Sequence, residues 1–234
     1  EVMKPEYMYG STHLEKKTIN PTTDKLSAKG FVELADNPVL YCRPDTTSFK
    51  AANTTVNIAV YSATGKIKSE QVANYLKPLA GSLQKFFTTL PVDTYQFLFF
   101  FDDGDNPVRG KDQDGGYGAL EHNYSSFYYL PEIAFEPRLK SMISDVSSHE
   151  FLHILTPLNV HSEQIENFDF VNPDMSMHLW LYEGVTEYFS HLVQLQTGLT
   201  DEEKFIDEMR GKIKEAEEHG EFSITEMSKK VLED

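Results

Sequence analysis

The period of the hydrophobic residues changes once along this chain, near Pro137, and that change restricts the fold more than any other feature. Before it, Val56, Ile58 and Val60 alternate with Asn57, Ala59 and Tyr61, the period of two of a strand. Residues 94–101 read as a second, fully buried strand, and residues 118–130 as one strand or a hairpin. One helix interrupts this half: after Ser69, residues Val72, Tyr75, Leu76, Leu79, Leu83, Phe86 and Phe87 form a stripe. Pro78 lies inside it and predicts a kink or a break. Beyond Pro137 the period becomes 3.6: Leu139, Met142, Ile143 and Val146 continue through His149 and His153 until Pro157. Asn172 and Pro173 predict the start of the next helix, with Pro173 at its first position. Thr200-x-x-Glu203 and Ser223-x-x-Glu226 read as capping boxes of two more. Strands with one helix, followed by helices only, make the expected fold class α+β.

Residues 1–50 are polar and carry Pro5, Pro21, Pro38 and Pro44; residues 30–34 and 39–42 read as short strands of this lead-in. With 21 Lys and Arg against 37 Asp and Glu, the net charge is −16. That balance excludes nucleic acid as a partner, since phosphate binding depends on cationic side chains. No apolar run approaches the ~20 residues that span a bilayer, so no transmembrane segment is expected. Cys42 is the single cysteine, which rules out an internal disulfide and any multi-cysteine metal site. The chain opens at Glu1 and reads as a piece trimmed from a longer protein.

The chemistry concentrates in His149-Glu150-Phe151-Leu152-His153. Histidines at i and i+4 share one helix face, so both imidazoles can reach one metal ion, with Glu150 between them to hold a metal-bound water. A catalytic zinc takes three protein ligands and keeps one position open. Glu183 in Leu179-Trp180-Leu181-Tyr182-Glu183-Gly184-Val185-Thr186-Glu187 is the candidate for the third, with Glu163, Glu166 and Glu187 as rivals. Glu187 lies one turn beyond Glu183 and could accept a hydrogen bond from the ring N–H of a ligand histidine. A pair of helix histidines usually binds nothing. Here they end an apolar stripe, where unpaired imidazoles beside a carboxylate would be costly and a cation would pair all three. The acidic loop 104–116, with Asp105, Asp112 and Asp114, does not follow the spacing of a calcium loop and reads as solvated.

The H-E-x-x-H motif followed by Leu179 to Phe189 resembles the gluzincin metallopeptidases. The longer spacing between the ligands resembles the glycyl aminopeptidase family, family sixty-one of the metallopeptidases. Gly118-Ala119-Leu120-Glu121-His122 is similar to that family's Gly-x-Leu-Glu-His motif. Asp36-Asn37-Pro38-Val39-Leu40 resembles the junction between its N-terminal β domain and its thermolysin-like domain. The resemblance covers roughly residues 31–234. It departs after His153, where Ile-Leu-Thr-Pro-Leu-Asn stands in place of a Trp-Asn and basic residues.

The resemblance implies a thermolysin-like zinc peptidase domain over residues 46–234, preceded by the end of a β domain over residues 1–45. It implies one Zn²⁺ per chain on His149, His153 and Glu183, with Glu150 as general base. Glu121 would hold the α-ammonium of a peptide with a free N-terminus, and Gly118, Ala119 and His122 would line the substrate, which makes aminopeptidase the expected activity. Two alternatives stand beside it: an endopeptidase with the same zinc chemistry, and a catalytically weak peptide-binding zinc protein. By the same resemblance the protein is expected to be exported or periplasmic in a bacterium. By that resemblance, too, the family's PDZ domain has no counterpart in these residues, and its oxyanion-stabilising Tyr or His is expected beyond Asp234.

Overall fold

Thr54–Ser62 and Thr94–Asp102 form two parallel nine-residue strands at the centre of a five-stranded sheet. The computed structural model describes residues 1–87, 89–104, 116–173 and 176–218. The capping box at Ser223 and most of the acidic loop lie outside the described residues. The chain falls into two compact units, Glu1–Glu150 and Phe151–Asp234.

In the first unit the lead-in consists of β1 (Val2–Met3), β2 (Tyr9–Ser11), β3 (Glu15–Asn20), β4 (Thr23–Ser27), a short helix α1 (Phe31–Ala35) and β5 (Leu40–Cys42). Strands β1, β4 and β3 make one antiparallel sheet, and β2 pairs with β5. Gly10 faces Tyr41 across that pair so closely that a Cβ there would lie 2.6 Å from the Tyr41 ring. Then come β6 (Thr46–Ala51), β7 (Thr54–Ser62), α2 (Ser69–Phe87), β8 (Thr94–Asp102), β9 (Gly118–His122), β10 (Ser125–Pro131) and α3 (Glu136–Leu152). The main sheet runs β6-β7-β8-β10-β9, with the three inner strands parallel and both edges antiparallel. Residues 118–130 are thus a hairpin.

Strand β8 is buried on both faces, which explains its unbroken apolar run. On one face Phe97, Phe99 and Phe101 stand with Tyr128 of β10, whose ring stacks 4.3 Å from that of Phe99. On the other, Leu98 and Ala59 pack with Leu40 and Cys42 of β5. The lead-in therefore supplies part of the core of this unit.

Three expectations for this unit change. Residues 31–35 form a helix rather than a strand, because both ends are tied by side chains: Glu33 accepts from the Lys29 N–H, and Asn37 Nδ2 donates to the Glu33 carbonyl at 2.7 Å. Helix α2 runs unbroken through Pro78. Pro78 sits on the exposed side, where the carbonyl of exposed Asn74 can turn to water, while Val72, Tyr75, Leu76, Leu79 and Leu83 hold the buried side. Helix α3 ends at Leu152, five residues before Pro157, and tighter i→i−3 bonds follow, from Ile154 N to Phe151 O and from Leu155 N to Leu152 O.

The second unit holds α4 (Glu163–Glu166), α5 (Leu179–Gln196) and α6 (Glu202–Glu218). Helix α5 begins at Leu179, not at Pro173. Ser176 sets the start, its Oγ accepting from His178 N at 3.1 Å. Asp201, not Thr200, caps α6, with Oδ1 accepting from Lys204 N at 2.8 Å. Among the described residues no helix is long and apolar enough to cross a membrane.

Candidate active site

His149 and Glu150 occupy the last turn of α3, and His153 follows on the same continuous backbone. His153 is 1% exposed, and its Nδ1 lies 2.8 Å from the carbonyl of Thr156. A carbonyl only accepts, so Nδ1 carries the proton and Nε2 presents its lone pair. Thr186 of α5 sits on the same group, its Oγ1 3.4 Å from Nδ1 and 3.2 Å from the Thr156 oxygen, to which it donates. Nothing in the sequence pattern pointed to Thr156 or Thr186; only the turn that closes after Leu152 brings this carbonyl back to the ring.

Glu183 lies on α5, and its Oε2 stands 3.7 Å from His153 Nε2. Two ligands of a tetrahedral ion at ~2.1 Å would be ~3.4 Å apart. The tautomer of His153 and the position of Glu183 therefore fit a zinc ion. The carboxylate is half exposed, so the open side of the pair is accessible. Glu187 accepts from His191 Nε2 at 3.2 Å and from the ammonium of Lys212. Glu163 and Glu166 are exposed on α4.

In the first unit, Glu121 and Glu150 have carboxylate oxygens within 4.8 Å of each other. Glu150 is 7% exposed. Below them lie Tyr95 and Tyr128, both fully buried. Burial pushes both phenols well above their ordinary value, and the negative charge of Glu150 adds to the effect, so each stays neutral. Glu121 faces Ser126 across the β9–β10 pair. Strand β9 ends the sheet, and among the described residues its outer edge pairs with no strand. Gly118 opens it, and a Cβ built there would meet nothing within 4 Å. Ala119 is half-buried. His122 donates from Nδ1 to Asp36 Oδ1 at 3.1 Å, a partner that the lead-in supplies.

The chain is thus an α+β protein with a mixed sheet, followed by helices, and with a possible His/Glu metal site. Residues 142–232 match the model of the M61 glycyl aminopeptidase family, the family that the sequence motifs resemble. A crystal structure of an aminopeptidase N family protein from Idiomarina loihiensis is similar in fold, with a TM-score of 0.65 and 18% sequence identity. The similarity covers 86% of this chain and 33% of that one, so the chain spans a third of that protein's length. Comparison with curated protein sequences finds no match.

Proposed function

We propose that this chain carries the thermolysin-like catalytic core of a zinc aminopeptidase. The observation that carries the proposal is the approach of His153 Nε2 to Glu183 Oε2 at 3.7 Å. In this reading His149, His153 and Glu183, the set that the sequence motif implies, would hold the ion. Bound zinc would polarise the scissile carbonyl and acidify a water toward a pKa of ~7. Glu150 would serve as general base, taking a proton from the attacking water and delivering it to the leaving amine. Thr156 keeps His153 in the tautomer that coordinates through Nε2. Glu187 would accept a hydrogen bond from the ring N–H of a ligand histidine.

Glu121 gives the proposed exopeptidase specificity. Its carboxylate stands on the edge strand β9, and the α-ammonium of a peptide is a cation with which such a carboxylate forms a charge-assisted hydrogen bond. The outer edge of β9, which pairs with no strand among the described residues, has Gly118 and Ala119 at its start and His122 at its end and can accept the peptide backbone as an added strand.

Two measurements test this. Glu183→Ala should lose most of its zinc after mild chelation while the parent retains about one ion per chain; full retention would remove Glu183 from the ligand set. Glu121→Gln should lower kcat/KM roughly ten- to a hundredfold on free-amine peptides, the size of a lost charge-assisted contact. N-acetylated peptides should be almost unaffected. Equal losses on both would favour the endopeptidase reading.

A further inference from the structure

Glu121 sits on an edge strand, which among the described residues is paired on one side only, and near the turn that ends it. Edge strands and turn ends are where local opening is cheapest. A carboxylate placed there would have to be ordered each time a substrate arrives, at a cost to affinity. The protein spends an unusual set of contacts on this turn. His122 pairs with Ser125 to close the β9–β10 hairpin, leaving Asn123 and Tyr124 as its two loop residues. Asp36, 86 residues before His122, takes hold of its first half. Oδ1 accepts from His122 Nδ1 at 3.1 Å, and Oδ2 accepts from both the Asn123 backbone N–H (3.2 Å) and Asn123 Nδ2 (2.7 Å). The second half is held too. The Tyr124 carbonyl accepts from Gln96 N at 3.0 Å, and its ring stacks on His13 at 4.5 Å.

A two-residue hairpin closes through its own turn residues and needs no distant carboxylate. Asp36 is itself set firmly. It is 8% exposed and ends α1, with its N–H bonded to the Val32 carbonyl at 2.9 Å. Asn37 beside it secures the last turn of the same helix. The residue is thus both rigid and fully committed to the two positions that follow Glu121.

We infer that Asp36 is the positioning residue for Glu121: through His122 and Asn123 it fixes the end of the edge strand so that the Glu121 carboxylate is already placed for the α-ammonium of a peptide. The inference rests on the reading of Glu121 as the ammonium holder. It gives the Asp-Asn-Pro segment of the lead-in a task in substrate selection, and it makes residues upstream of the main sheet part of the specificity of the site.

Binding of trialanine amide and of its N-acetylated twin tests it, measured by calorimetry on the zinc-loaded full chain with Glu150→Gln to prevent turnover. Asp36→Ala should weaken the free-amine peptide roughly three- to thirtyfold, within the range of coupled neighbouring residues. The acetylated peptide should bind as before. Combined with Glu121→Gln, Asp36→Ala should add less than about twofold, because both act on one contact. If Asp36→Ala does not melt cooperatively, Asn123→Ala decides: it removes one of the three bonds, and a loss of a few-fold confined to the free-amine peptide is expected. Equal losses on both peptides, or full additivity with Glu121→Gln, would overturn the inference and leave Asp36 a structural residue. Should Glu121→Gln discriminate between the peptides while Asp36→Ala and Asn123→Ala do not, the inference alone fails. A parent that binds both peptides equally removes the role of Glu121, and the inference with it.

Discussion

Glu150 separates binding from chemistry at the level of a single side chain. It lies between the two histidines of the motif but is not among the proposed ligands, and it is almost fully buried. Glu150→Gln preserves the shape and removes the base. The variant should keep its zinc and its affinity for peptide while turnover falls ~10²–10⁴-fold, the usual share of a general base. Turnover equal to that of the parent would exclude Glu150 from the proton transfer. The motif itself was legible in the sequence because it is local: five consecutive residues define it. Its support was not. Thr156 reaches His153 through a turn that no periodicity announces, and Asp36 reaches His122 across 86 residues.

The type of an element with a strong period is legible in the sequence, whereas a boundary set by a single cap is not. Strands β7 and β8 follow from alternation and from an unbroken apolar run, since burial on one or both faces writes itself into the residue types. Helix α1 was misread because Phe31, Val32 and Leu34 favour a strand by type, yet none of its residues is buried and two side-chain bonds at its ends set the outcome. The starts of α5 and α6 were missed for the same reason, each decided by one polar side chain. A similar polar clasp joins the C-terminal ends of the sheet strands. Glu132 follows β10 and accepts from the Ser62 hydroxyl at the end of β7, from Thr64 N at 3.1 Å and from Thr64 Oγ1 at 2.6 Å. Burial pushes its carboxyl up, but these hydrogen bonds outweigh it and hold the pKa below the ordinary glutamate value. A pKa lowered by folding gives stability that is complete above the unfolded value of about 4.3 and is lost as pH falls through the folded one. Glu132→Gln should therefore flatten the fall of Tm with pH below about 4.3. An acid limb as steep as that of the parent would show that the clasp contributes nothing.

For the molecule as a whole, the proposed ligands come from the end of α3 and from α5, segments separated by some thirty residues of chain. An ion that binds only the folded protein stabilises it by mass action, by about 4 kcal/mol when free metal is ~1,000 times Kd. At ~2–4 °C per kcal/mol for a chain of this size, chelation should lower Tm by roughly 8–16 °C, and readdition of zinc should restore it. Glu183→Ala should already melt low and respond little to chelator. A parent whose Tm ignores both treatments would argue that no ion is held. The charge of −16 acts on the same scale, because a negative field draws cationic groups toward the surface and speeds their arrival.

Helix α5 carries the sole tryptophan, Trp180, about one turn before Glu183 and 43% exposed. The first unit has no tryptophan, and its sheet is rich in tyrosine and phenylalanine. The two units therefore carry separate optical labels by accident of sequence. Excitation at the red edge of tyrosine absorption yields emission from α5 alone, while the near-ultraviolet dichroism of the stacked rings around Tyr128 follows the sheet. Melting curves recorded in the two channels can then be laid over each other without introducing a dye, and any gap between them would measure how independently the helical part lets go.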